Sequence, residues 1–131
     1  MPDLYAGFGC QRGCPASVLA ELLDTTLAHH GLSRGDVAGV ASIDLKADEA
    51  GLLELAQALD VPLTLFSAAQ LAPFEPRLTH RSAVAFSHTG CHGVAESAAL
   101  ALAGPGSQLR VSRQKNAKAT LALAQAGPIP G

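Results

Sequence analysis

Aromatic side chains are scarce: the 131 residues include no tryptophan, one tyrosine and four phenylalanines. Proteins that grip single-stranded nucleic acid stack bases on such rings and carry a strongly basic footprint. A pI near 6.2 supplies neither, so nucleic acid is not an expected partner. No stretch of about 18 or more apolar residues is present to span a bilayer. The opening MPDLYAGFG also lacks the basic segment and apolar run of a secretory signal. These absences predict a soluble, cytoplasmic protein with no membrane partner. Cysteine is sparse as well. Cys10, Cys14 and Cys91 cannot all pair within one chain, and a 48% hydrophobic composition needs no disulfide staple, so reduced thiols are expected. Neither a G-x-S-x-G elbow nor a Ser-His-Asp arrangement occurs, which argues against covalent acyl transfer.

Negative charge is missing from one end. All eleven acidic residues lie at or before Glu96, whereas four of the nine basic ones, Arg110, Arg113, Lys115 and Lys118, follow it. Such a split is either a plain solvated face or the landing place of an anionic partner.

Strand-length apolar runs alternate with helix-length periodic segments, the pattern of an α/β domain whose sheet is covered on both faces. Strands are expected at 4–9, 37–43, 62–66 and 82–87. A helix is expected from about Pro15 to a stop at Gly31, with Val18, Leu19, Leu22, Leu23 and Leu27 on one stripe. A second helix should cover about 47–60, ending ahead of Pro62. The segment up to Pro76, interrupted by two prolines, has room for a short helix at most. VAESAALALAG, 94–104, reads as a helix packed closely on the sheet. The runs 108–112 and 118–124, joined by RQKNA, should form an antiparallel hairpin, because the link is too short for a crossover helix. The expected architecture is a three-layer α/β/α sandwich with a mostly parallel mixed sheet of about six strands. Residues 1–126 make one domain and 127–131 a frayed tail.

Two glycine-rich joints stand where a strand hands over to a helix. In GFGCQRGCP, Gly7, Gly9 and Gly13 would let backbone N–H groups approach an anion near a helix N-terminus. The G-x-G-x-x-x-G spacing is one residue longer than the dinucleotide fingerprint, and no acid stands about 20 residues on in the expected way, so a nucleotide-binding module ranks third among the readings. TGCHGVAES repeats the arrangement with Gly90 and Gly93, and Glu96 opens its helix as a dipole-compensating acid or a functional one. A third joint, ASIDLKADEAGL, packs Asp44, Lys46, Asp48 and Glu49 together. Three carboxylates there neutralise Lys46 in the absence of a ligand and oppose the depressed pKa that Schiff-base chemistry requires. The plain alternative is a surface ion-pair cluster.

In a parallel sheet the carboxyl ends of the strands share one edge, so all three joints should meet there. Cys10 and Cys14, or His88, Cys91 and His92, match no tight zinc spacing, and no metal site is assigned. His29 and His30 read as favourable charges at a helix C-terminus. Cys10 or Cys91 could be a thiol activated by a helix N-terminus.

Four ordered segments, GFGCQRG, ASIDLKADEAGLLELAQAL, SHTGCHGVAESAALALAG and RQKNAKATLALA, resemble the cobalamin-biosynthesis family that comprises CobE and the C-terminal domain of CbiG. The resemblance runs nearly end to end. It implies an α/β domain acting on the contracted, carboxylate-rich tetrapyrrole on its way to cobalamin, alone or beside other corrin-pathway enzymes. In the longer CbiG proteins it implies opening of the δ-lactone of cobalt-precorrin-5A with release of acetaldehyde. Only the C-terminal unit of those proteins corresponds to this chain. With the residue-level reading, the resemblance points to Gly7, Gly9, Cys10, Gly13, Asp44, Lys46, Asp48, Glu49, Gly90, Gly93, Glu96, Lys115 and Thr120 as contacts for a tetrapyrrole ligand, with no permanently bound cofactor. A hydrolase would add a water-activating base, for which His92, Glu96 and Asp44 are candidates.

Overall fold

The computed structural model describes residues 3–10, 13–44, 49–79, 93–104, 106–116 and 118–127. Among these, five strands form one sheet: β1 (Leu4–Cys10), β2 (Val37–Ile43), β3 (Leu63–Phe66), β4 (Gln108–Lys115) and β5 (Ala119–Gln125). Their spatial order is β3-β2-β1-β5-β4. β1, β2 and β3 run parallel, β5 lies antiparallel to β1, and β4 and β5 form the expected hairpin. The sixth strand anticipated at 82–87 lies outside the described residues. Helices α1 (Ala16–His29), α2 (Ala50–Leu59), α3 (Ala68–Leu71) and α4 (Val94–Ala103) complete the layers, together with 3-10 turns at Arg34–Asp36 and Ala72–Arg77. The latter turn holds Pro73 and Pro76, which deny the chain the amide donors a longer helix would need.

Alternation along the strands divides the core in two. Ala6 and Phe8 of β1 with Leu121 and Leu123 of β5 pack against Leu19 and Leu23 of α1 and Leu52 and Leu55 of α2. On the other face, α4 supplies Ala95, Ala98, Ala99 and Leu100 against Ala41 and Ile43 of β2 and Ala122 and Ala124 of β5. Small side chains on both surfaces bring α4 unusually near the sheet. A Cβ at Gly7 would lie 2.0 Å from the carbonyl oxygen of Ala95 and 2.6 Å from the Ala99 nitrogen.

α1 ends as its sequence suggests. Gly31 takes φ +67°, while the N–H of Leu32 donates to the Leu27 carbonyl and that of Gly31 to Ala28, a Schellman closure. α2 ends the same way, but on a residue with a Cβ. Asp60 takes φ +57°, and the Val61 and Asp60 amides donate to Ala56 and Gln57. Since an L side chain in this region crowds its own backbone and glycine does not, Asp60→Gly is expected to raise stability by about 0.5 kcal/mol after its greater unfolded-state entropy is offset. A urea midpoint that falls would contradict this.

The hairpin is tighter than RQKNA implied, because β4 continues through Lys115. The side-chain oxygen of Asn116 accepts the N–H groups of Lys118 and Ala119 at 2.9 and 2.8 Å, turning the chain in fewer residues. At the amino edge of the sheet, Arg34 makes a two-pronged ion pair with Asp24, at 2.7 and 2.8 Å. Hydrogen bonding to the guanidinium holds the Asp24 carboxyl below the usual carboxylate range.

Candidate functional site

Parallel pairing brings the carboxyl ends of β1, β2 and β3 to one edge, with Gly7 opposite Ala41 and Ile43 opposite Phe66. The hairpin adds its own end there: Cys10 faces Ala119, and Lys115 pairs with Thr120. α1 and α2 start from this edge on one face of the sheet. α4 starts from it on the other, since a Cβ on Gly9 would sit 3.8 Å from that of Val94. Two helix N-termini therefore flank the end of β1 from opposite faces, each a region of partial positive charge.

The residues read from sequence fall into distinct roles within this frame. Gly9 and Thr120 are in contact across the β1–β5 pair, the Thr120 hydroxyl donating to the Gly9 carbonyl at 3.4 Å. Cys10 is half-buried beside them, and Lys115 is exposed at the end of β4. Gly93 is buried as the N-cap residue of α4. Gly13 is exposed at φ +76°, a backbone conformation that favours glycine. Asp44 is exposed immediately after β2. Lys46, Asp48, Gly90 and His92, as well as His88 and Cys91, lie outside the described residues.

Three of the candidates are engaged in the architecture itself. Gly7 lies mid-strand beneath α4, where its missing side chain admits helix backbone rather than a ligand. Glu49, only 9% exposed, accepts the Gly13 N–H at 2.9 Å. Glu96 is fully buried in the first turn of α4. Its carboxyl oxygens accept the backbone N–H and hydroxyl of Thr79, and the backbone N–H of Arg113 at 3.1 Å. Glu96 thus binds α4, the Thr79 segment and β4 together, a larger role than offsetting the helix dipole.

Two further residues shape the edge without having been read from the sequence. Ser42 is fully buried and donates its hydroxyl to the Phe8 carbonyl at 2.7 Å. It thereby fastens β1 to β2 just past their last backbone pair. Gly51 lets the first turn of α2 meet the start of α1, because a Cβ there would lie 2.2 Å from the Cys14 carbonyl oxygen. An isolated glycine inside a helical pattern was the available signal for Gly51; a serine in an apolar strand carries none as specific. Among the described residues, no group of three His, Cys, Asp or Glu side chains is placed to hold a metal ion. Among them, too, no helix is long and apolar enough to cross a membrane.

Residues 4–124 match the family model described as cobalamin synthesis G C-terminus. Protein CobE of Sinorhizobium sp. is 43% identical over 121 residues, covering 92% of this chain and 79% of the relative. Cobalt-precorrin-5A hydrolase of Priestia megaterium is 31% identical over 121 residues, covering 92% of this chain but 32% of the hydrolase. The chain therefore spans about a third of that enzyme's length. A crystal structure of CobE, a protein from the cobalamin biosynthetic pathway, superposes with a TM-score of 0.90 at 46% identity, covering 95% of this chain and 92% of CobE. The cobalamin biosynthesis protein chiG of Agrobacterium tumefaciens superposes with a TM-score of 0.75 at 31% identity, covering 95% and 99% of the two chains. With a family model spanning almost all of the chain and a relative aligned over most of both lengths, this protein belongs to the CobE and CbiG C-terminal family of cobalamin biosynthesis.

Proposed function

We propose that this protein holds a carboxylate-rich tetrapyrrole intermediate of corrin-ring synthesis at the carboxyl edge of its sheet. The observation carrying this reading is the meeting of two helix N-termini, from opposite faces, around the glycine-bearing end of β1. Lys115 and Thr120 sit beside them on the hairpin. Ring carboxylates would be met by backbone N–H groups and by cations, while aliphatic side chains face the macrocycle. Hydrogen bonds involving a charged partner are the strong ones, each contributing about 1.5 to 3 kcal/mol. The intermediate is the ligand and no permanent cofactor is invoked. The setting proposed is the cytoplasm, alongside other enzymes of the corrin pathway.

Similarity to cobalt-precorrin-5A hydrolases supports a second reading, opening of a ring lactone with loss of acetaldehyde. Two things weigh against it as the first choice. This chain spans about a third of the Priestia enzyme, and Glu96, one of the candidate bases, is buried and accepts hydrogen bonds from Thr79 and Arg113. Asp44, exposed at the end of β2, remains the described candidate for a water-activating base.

Titration of the protein with cobalt-precorrin-5A, with cobyrinic acid as a corrinoid carrying free carboxylates, and with ATP separates the readings. Saturable change in tetrapyrrole absorption without acetaldehyde supports the binding protein. Acetaldehyde above the uncatalysed rate supports the hydrolase, and binding of ATP alone overturns both. Lys46 stands in the chain between Asp44 and Glu49, the two described ends of its joint. Lys46→Ala is expected to weaken tetrapyrrole affinity by about tenfold through loss of one charge-assisted contact while barely moving the thermal midpoint. Unchanged affinity would return this lysine to the solvated surface.

A further inference from the structure

The carboxylate of Glu49 stands where a helix N-cap side chain ordinarily folds back onto its own first turn, yet it makes no such bond to α2. It reaches 36 positions back along the chain to the Gly13 N–H, at 2.9 Å. A second contact binds the same two segments: the backbone of α2 at Gly51 lies against the Cys14 carbonyl so closely that only glycine fits. Gly13 and Cys14, ahead of α1, are thus gripped by the head of α2, once by a hydrogen bond and once by packing. Gly13 itself has a positive φ and, among the described residues, nothing within 4 Å of a Cβ position, so the Glu49 hydrogen bond is the described contact that fixes it.

We propose that Glu49 is a positioning residue: it holds the β1–α1 glycine loop in the form that presents the edge to an anionic ligand, and is itself neither a ligand contact nor an acid or base. The proposal rests on the tetrapyrrole-binding reading for what the loop receives, and on geometry alone for what holds it. It differs from the expectation that Glu49 neutralises Lys46, because a hydrogen-bond acceptor is required at this position and a charge is not. Glutamine keeps an oxygen that can accept the Gly13 N–H; alanine does not.

The test compares Glu49→Ala with Glu49→Gln in the full chain. Amide hydrogen exchange at Gly13, read by NMR, should accelerate in Glu49→Ala by about tenfold, the loss of one hydrogen bond accepted from a backbone donor. Glu49→Gln should restore most of the protection. Affinity for cobyrinic acid should fall and recover in the same pattern. Equal acceleration in both variants would show that the charge matters and overturn the proposal, as would undiminished protection in Glu49→Ala. A thermal melt of each variant identifies general unfolding, and Glu49→Gln decides the matter if Glu49→Ala does not fold. Should the wild-type protein bind no tetrapyrrole, the functional reading fails, while Gly13 exchange still decides whether Glu49 holds the loop.

Discussion

Gly7→Ala is expected to destabilise the protein by about 3 kcal/mol, a large share of the roughly 5 to 15 kcal/mol that holds a domain together. The added carbon would come within 2.0 Å of the Ala95 carbonyl oxygen and 2.6 Å of the Ala99 nitrogen. Both are backbone atoms inside α4, so no side chain can rotate away and the helix must lift as a body. Lifting it separates Ala95, Ala98, Ala99 and Leu100 from the sheet at once. Gly9→Ala provides the internal control. Its Cβ would meet the Thr120 hydroxyl at 2.8 Å, the end of a side chain that can turn at the cost of one long hydrogen bond. Its expected loss is about 1 kcal/mol. Urea denaturation of the two variants checks the ordering. If Gly7→Ala unfolds at the wild-type midpoint, the close seating of α4 on β1 is wrong. So then is the placing of its N-terminus beside Gly9.

That contrast also shows where the sequence was legible and where it stopped. Strand β2 matches the expected 37–43 because a run of branched and small apolar residues has one comfortable conformation when both faces are covered. Gly31 likewise announced the end of α1 through a backbone requirement that is local. The parallel pairing of three strands then forced their joints to a common edge. Gly7 and Gly9, by contrast, look alike in the chain, two residues apart on one strand. Only the tertiary arrangement distinguishes the one lying under helix backbone from the one facing a threonine side chain. The acidic cluster divided for the same reason. Asp44 is exposed and Glu49 buried, and the partner that separates them, the Gly13 amide, belongs to a different loop. The reach of Asn116 across its turn shortened the hairpin connection in a way that composition alone does not specify.

Glu96→Gln should cost about 2 kcal/mol and Glu96→Ala about 4, both measured by urea unfolding. Among the described residues three donors converge on the two carboxyl oxygens, and two of them are backbone N–H groups that cannot reverse their polarity. Glutamine offers one oxygen and one NH2 group. Placed toward Arg113, the NH2 faces a backbone donor; flipped, it faces the Thr79 N–H. Either way a buried donor is left facing another donor, with the side chain at 0% exposure and water unable to repair the loss. Alanine removes the acceptors entirely and opens a cavity under α4. The pattern discriminates between the two roles read for this residue. A general base exchanged for its amide would lose turnover at nearly wild-type stability, whereas a carboxylate that clamps α4, β4 and the Thr79 segment loses stability first. Faster exchange of the Thr79 and Arg113 amides in Glu96→Gln would locate that loss at the clamp. An unfolding midpoint equal to wild type would instead return Glu96 to the list of catalytic candidates.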